Sequence, residues 1–164
     1  MEHLELFNLL RETFGEDAVI EHVVSGDEAK GFRDPYIVLK PESLVNVCRF
    51  LKDDERCQFK MLHCISGVEW PEHFESVYHL FSISLKQRAI LKVRTSKENP
   101  SVPSVTSIWP AADWHERETF DLMGIVYEGH PDLKRILLPD EWEGHPLRKD
   151  YVMPTHERLR EIGL

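Results

Sequence analysis

Apolar residues recur three and four positions apart at the start of the chain: Leu4, Phe7, Leu10 and Phe14, with Leu6 and Leu9 beside them. That spacing predicts an amphipathic helix over residues 2–14, stopped by Gly15. The run from Ala18 to Val24 predicts a first strand, closed by the turn-like Ser25-Gly26-Asp27, and Tyr36 to Leu39 predicts a second. Pro41 then stands near the start of a second helix, whose inner face is marked by Leu44, Val47, Cys48 and Leu51.

Three β-rich segments follow: Phe59 to Ser66, Ser76 to Leu85 and Ala89 to Thr95. Lys86-Gln87-Arg88 is a connection of hairpin length between the last two. Short connections favour antiparallel pairing. Helix, two strands, helix, three strands is an α+β order: a mostly antiparallel sheet flanked by helices. The Pro- and Ser-rich stretch from Lys97 to Ser107 reads as an extended connection. Trp109-Pro110-Ala111-Ala112-Asp113 then opens a third helix that ends near Gly124.

Past Gly124 the periodicity fades. The expectation is an α+β domain over residues 1–124 and an extended, irregular C-terminal tail over 125–164. Ile125, Val126, Tyr127, Ile136, Leu137, Leu138, Trp142 and Leu147 give this tail too much apolar surface for simple disorder. A partner that covers it is the natural expectation.

Composition narrows the function classes. The 164 residues suggest one domain with an appendage. A formal charge of −9 argues against a nucleic-acid binder, which needs a basic face against phosphates. It argues equally against adhesion to anionic lipid. No apolar run reaches about eighteen residues, the length a membrane-spanning helix needs. The acidic N-terminus lacks the pattern of a secretory signal. Cys48, Cys57 and Cys64 form no Cys-x-x-Cys pair and cannot supply four thiolates to an iron–sulfur cluster. A cytoplasmic chain with reduced thiols is expected.

The chemistry-bearing residues lie in the last third. Asp113, Arg117 and Asp121 are spaced by four along the third helix, which predicts a guanidinium between two carboxylates, with Trp114 and Glu118 close by. His115-Glu116 lacks the second histidine of a zinc-protease helix, because position 119 is Thr119. Glu116, Glu118 and Asp121 are too ordinary a set to indicate a hydrolase acid and base. Gly-His-Pro occurs twice, with His130 and His145 fifteen residues apart. Gly permits a positive φ and Pro holds the preceding His extended, so both units predict a bend locked by an imidazole on a backbone carbonyl. A metal site there would need further ligands that the spacing does not select. Arg148 and Lys149 beside Asp150 suggest a carboxylate partner. No phosphate-cradling glycine loop is present.

Ser104-Val105-Thr106, the run from Trp109 to Trp114, Glu116-Arg117-Glu118, Asp121-Leu122 and Gly124-Ile125 together resemble the signature of the 30-kDa subunit of respiratory complex I, the NADH–quinone oxidoreductase. The likeness continues through residues 129–133, 135–137 and 144–151, and weakly upstream to Tyr78-His79-Leu80 and Leu91-Lys92-Val93. Tyr127 stands where Phe is usual in that family, Met123 where an aromatic is common, and Lys134 where Arg is frequent.

The resemblance implies a peripheral, non-catalytic subunit of a proton-pumping NADH:quinone oxidoreductase, on the cytoplasmic or equivalent face of its membrane. Its partners would be the other complex I subunits. It implies docking above all on the neighbouring quinone-site subunit, which is related to the large subunit of nickel–iron hydrogenases. No cofactor would be bound by this chain, since FMN, iron–sulfur clusters and quinone belong to other subunits. The expected interface residues are Trp109, Trp114, Arg117, Glu118, Asp121, His130, Arg135, His145, Arg148 and Asp150. The equivalent subunit of a related membrane-bound hydrogenase or ferredoxin-linked complex is the alternative. A free-standing metal-dependent hydrolase using His130 and His145 is a third reading.

Overall fold

The computed structural model describes residues 2–24, 34–155 and 160. The expected turn at 25–27 lies outside them, as does most of the chain beyond 155. Helix α1 (His3–Phe14) begins in a capping box, in which the backbone N–H of Glu2 donates to the Glu5 carboxylate at 3.0 Å. Leu6, Phe7 and Leu10 are its buried residues, while Leu4 stays exposed. Strands β1 (Val19–Val23) and β2 (Tyr36–Leu39) pair antiparallel. A short 3-10 turn at Pro41–Ser43 leads into α2 (Leu44–Asp53), which buries Leu44, Val47, Cys48 and Leu51.

Strands β3 (Met61–Glu69), β4 (His73–Ser82) and β5 (Gln87–Ser96) form an antiparallel meander. The β4–β5 turn lies at residues 83–86 rather than 86–88, with Lys86 at φ 52° and Gln87 and Arg88 already in the strand. β2 joins β5 in parallel, and the five-stranded order is β1-β2-β5-β4-β3. A long crossover makes that parallel pair possible: α2, β3 and β4 lie between the two strands in sequence.

The supposed plain connection after residue 97 holds strand β6 (Ser101–Pro103). After α3 (Ala112–Met123) comes β7 (Val126–Glu128), which pairs with β6 in parallel. Each is three residues long, too short for an alternating pattern to announce it. The fold class is therefore α+β, as the sequence predicts.

One core joins α1, α2 and the inward residues of the sheet to Val105, Ile108, Trp109, Ala112, Met123, Ile125 and Tyr127. Gly67 of β3 brings α3 close to the sheet. A Cβ there would stand 2.7 Å from the Thr119 methyl and 3.2 Å from Met123 Cγ. Among the described residues no helix is long and apolar enough to cross a membrane.

Candidate functional site

α3 turns Ala112, Glu116, Thr119 and Met123 toward the core, as their three-and-four spacing dictates. On the face opposite lie Trp114, Arg117, Glu118 and Asp121. Spacing predicts a solvated or partner-covered face there. Instead, the chain's own tail folds back over the C-terminal half of it.

Asp121 is the centre of that return. Its carboxylate is fully buried; Oδ1 accepts from Arg135 Nη1 at 2.7 Å, and Oδ2 accepts the backbone N–H groups of Ile136, Leu137 and Leu138 at 3.0, 2.8 and 3.0 Å. Burial pushes this carboxyl upward; Arg135 and the three N–H donors outweigh it, so the group sits below the usual range. Arg135 also donates to the carbonyls of Asp121, Trp142 and Gly144 at 3.0, 2.9 and 2.9 Å. One guanidinium therefore closes residues 135–144 into a loop over the helix.

The rest of the tail caps the helix end. The last four carbonyls of a helix lack internal partners and carry its negative pole. Here Phe120 O accepts from Gly124 N–H at 2.8 Å, Asp121 O from His145 Nδ1 at 2.9 Å, and Leu122 O from Leu147 N–H at 3.0 Å. Arg148 Nε serves Met123 O at 2.7 Å and Nη2 serves Gly124 O at 3.3 Å. Gly124 has φ 72°, the left-handed closing conformation of a helix. Farther along, Lys149 N–H donates to the buried Glu69 carboxylate at 2.7 Å, tying the tail to β3.

Both His-Pro bends act as the sequence predicts. His145 sends Nδ1–H to the Asp121 carbonyl, and burial pushes its imidazole below the usual range. His130 Nδ1 accepts the Asp132 N–H at 3.0 Å, so Nε2 holds the proton and meets Asp113 at its carbonyl (3.3 Å) and carboxylate (3.2 Å). The two imidazoles are thus committed to α3, eight residues apart along it, rather than to each other. Among the described residues no group of three or more His, Cys, Asp and Glu could hold a metal ion.

The predicted Asp113–Arg117–Asp121 ladder does not form. Asp113 faces His130, Asp121 faces Arg135, and Arg117 donates to the carbonyls of Lys134 (3.2 Å) and Arg135 (3.5 Å) while lying 5.0 Å from the centre of the Trp114 ring. Asp121 takes the guanidinium that arrives with three backbone N–H donors rather than its half-buried neighbour one helical turn away.

The expected interface residues separate into groups. Trp109 is 3% exposed, its indole N–H given to Phe59 O at 3.1 Å, so it is a core residue with no surface to offer. Asp121 is equally enclosed. His130, Arg135, His145 and Arg148 are half-buried and hold the tail. Trp114, Glu118 and Asp150 are exposed, and Arg117 is half-buried beside Trp114. Exposed apolar residues of α3 and the tail include Trp114 (62%), Leu137 (59%), Leu147 (60%), Val152 (84%) and Met153 (65%).

Sequence reasoning passed over Glu69 and Ser104. Ser104 Oγ lies 2.6 Å from the buried Glu116 Oε2, and Val105 N–H donates to Glu116 Oε1 at 2.8 Å. The Ser104-Val105-Thr106 run before a helix start was the available signal for Ser104. Glu69 gave none, because its partners Lys97 and Lys149 lie 28 and 80 residues away.

Comparison with known proteins places this architecture. Residues 37–157 match the family model described as "Respiratory-chain NADH dehydrogenase, 30 Kd subunit". The corresponding NADH-quinone oxidoreductase subunit of Roseiflexus sp. (strain RS-1) is 46% identical over 143 residues, covering 85% of this chain and 81% of the relative. That of Caulobacter vibrioides is 42% identical over 152 residues, covering 91% and 77%. A solved structure described as Nqo5, a trypsin-resistant fragment (1-134), superposes with TM-score 0.58 at 30% identity, covering 80% of this chain and all of the fragment. A chain of the membrane-bound sulfane sulfur reductase, an archaeal respiratory membrane complex, superposes with TM-score 0.73 at 25% identity, covering 96% and 89%. With its matched region spanning β3–β5, α3 and the returning tail, the chain belongs to the 30-kDa subunit family of respiratory-chain NADH dehydrogenase.

Proposed function

We propose that this chain is a non-catalytic, peripheral subunit of a proton-pumping NADH:quinone oxidoreductase, and that it docks on the hydrogenase-related subunit that forms much of the quinone site. In this reading it contributes shape and contact surface, while FMN, iron–sulfur clusters and quinone are held by other subunits. It would sit on the cytoplasmic (or equivalent) face of the membrane.

The observation that carries the reading is the surface left over after the tail has folded back. His130, Arg135, His145 and Arg148 of the tail are engaged on α3, but Trp114, Leu137, Leu147, Val152 and Met153 remain outside. Aromatic and arginine anchors amid apolar neighbours are what a stable interface uses. Trp114 stacked with Arg117 is such an anchor. The docking surface is therefore the outer rim of α3 and the tail, with Trp114, Arg117, Glu118 and Asp150 in it. His130, Arg135, His145 and Arg148 support that surface from beneath.

The test is co-purification of the affinity-tagged chain with the other subunits from native membranes. The quinone-site subunit should come with the unmodified chain, and Trp114→Ala combined with Leu137→Ala should lower the amount of assembled complex. Turnover per assembled complex should stay the same. Normal assembly with a large fall in turnover would overturn the reading.

The likeness to a chain of the archaeal sulfane sulfur reductase complex favours a second reading, in which the reaction differs. The same docking role would then serve a related membrane-bound complex with another electron donor, such as a ferredoxin-linked or hydrogenase-type assembly. Co-purifying NADH-binding subunits would decide for the first; a hydrogenase-type large subunit carrying nickel ligands would decide for the second.

A further inference from the structure

Four buried carboxylates on the sheet and α3 divide sharply by what they face, and Glu69 has Lys97 at 2.5 Å. Glu75 has Lys92 at 3.1 Å and Arg94 at 3.2 Å, and Asp121 has Arg135 at 2.7 Å. Glu116 is 0% exposed and forms no ion pair among the described residues; its partners are the Ser104 hydroxyl and the Val105 N–H. The titratable groups that face it are Asp113 on its own helix, Cys48 of α2, Tyr78 of β4 and Tyr127 of β7. None of these is a cation at neutral pH. A carboxylate enclosed by acids and apolar walls is disfavoured against its neutral form.

The hydrogen bonds can serve either form: with Glu116 ionised, Ser104 O–H donates to Oε2 at 2.6 Å, and with Glu116 protonated the same contact runs the other way. In the protonated form Oε2–H would donate to Ser104 Oγ and Ser104 O–H would turn to Thr106 Oγ1, 2.8 Å away, while Oε1 accepts the Val105 N–H in both forms. On ionisation the Ser104 proton turns from Thr106 to Glu116, and the Thr106 hydroxyl can donate to Ser104 Oγ in its place. Thr106 is half-buried, so this two-hydroxyl chain runs from the core toward solvent.

We propose that Glu116 is a proton-binding site of this chain, and that taking up the proton reverses the Ser104–Thr106 hydroxyl chain that joins this loop to α3. The proton comes from water and returns to it, and no other bond changes. Burial raises the Glu116 carboxyl to about 7, above the lowering effects of Ser104 and Val105, which brings its titration into the neutral range. The site does not depend on which complex the chain joins.

Carbon-13 NMR of glutamate-labelled full-length chain, titrated between about pH 4 and pH 9, reads the carboxyl directly. One glutamate resonance is expected to titrate with a midpoint near 7, apart from the ordinary glutamates, and to vanish in Glu116→Gln. The Val105 and Thr106 amide shifts should follow the same midpoint. In Ser104→Ala the ionised form loses its hydroxyl donor, so the midpoint should rise; this variant also assigns the resonance if Glu116→Gln does not fold. Glutamates that all titrate in the ordinary range would overturn the proposal. So would a neutral-range resonance that survives Glu116→Gln, or one that Ser104→Ala leaves unmoved.

Discussion

Arg135 and Asp121 meet at 2.7 Å, and the carboxylate has no exposed surface. That one arginine also holds the Trp142 and Gly144 carbonyls, so the ion pair and the closure of the 135–144 loop are the same event. Removing one partner of a buried pair leaves an uncompensated charge, at a cost of about 3–5 kcal/mol. Arg135→Met should therefore lower the urea midpoint and expose the tail to limited proteolysis. A variant as protease-resistant as the parent would show that the pair does not hold the tail.

Stability should depend on pH in two opposed ways. Asp121 has a lowered folded value, so its contribution is present above the usual aspartate range and is lost as pH falls through the folded value. Glu116 is raised from 4.5 to about 7, so the folded chain binds the extra proton between those values. Its contribution is full below about 4.5 and is lost as pH rises toward 7. At about 1.4 kcal/mol per pH unit the loss is on the order of 3 kcal/mol. Urea unfolding from pH 5 to 8 should show this decline in the parent, and Glu116→Gln should flatten it. An equal slope in both would contradict the assignment.

Gly67→Ala should cost about 1–3 kcal/mol, the usual range for overpacking. The new methyl would press on the Thr119 methyl at 2.7 Å, a β-branched side chain with little freedom to turn aside. Thermal unfolding of Gly67→Ala and of Gly67→Ala with Thr119→Ser separates the effects. The second change should restore part of the lost stability.

Gly124→Ala should release the tail more than it weakens the sheet. Its φ of 72° is strained for any residue with a Cβ, at about 1–2 kcal/mol. The Cβ would also strike Arg148 Nη2 and come within 2.5 Å of His145 Cδ2. Tryptophan fluorescence should report it, because Trp142 is buried under the tail loop. An unchanged emission maximum would mean that the tail is held independently of the helix end.

Trp114→Ala is the contrasting case. The ring is 62% exposed and meets Arg117 at the surface, so the isolated chain should lose less than about 1 kcal/mol. Any larger deficit should appear in complex assembly. A large fall in the melting temperature of the isolated chain would place Trp114 in the fold rather than at an interface.

The elements whose burial is periodic were legible in the sequence. Leu44, Val47, Cys48 and Leu51 marked the inner face of α2, and all four are fully buried. Gly124 marked the end of α3, and its left-handed φ is the reason. The two Gly-His-Pro bends were legible because Gly and Pro restrict the backbone whatever surrounds them. β6 and β7 were not legible, since three residues with a proline carry no period and their pairing spans about 25 positions. The bounds of β3 and β4 differ from the expected 59–66 and 76–85 by a few residues for a similar reason: cross-strand partners, not local propensity, set where these strands begin and end.

By itself, then, the sequence determined the α+β class, the inward faces of the helices, the bends at His130 and His145, and the family signature. The first three follow from local spacing or from residues with restricted backbones, and the signature from the order of its motifs. Only the tertiary structure decided which charges pair. Arg117 lay one turn from Asp121 along the chain, yet Asp121 took Arg135, because the tail fold delivers that guanidinium together with three backbone N–H groups. Only the tertiary structure left Glu116 without a cation among the described residues while Asp121, on the opposite face of the same helix, received one. Spacing ranks neighbours along a helix, but desolvation and the donors that arrive with it decide which carboxylate keeps its charge.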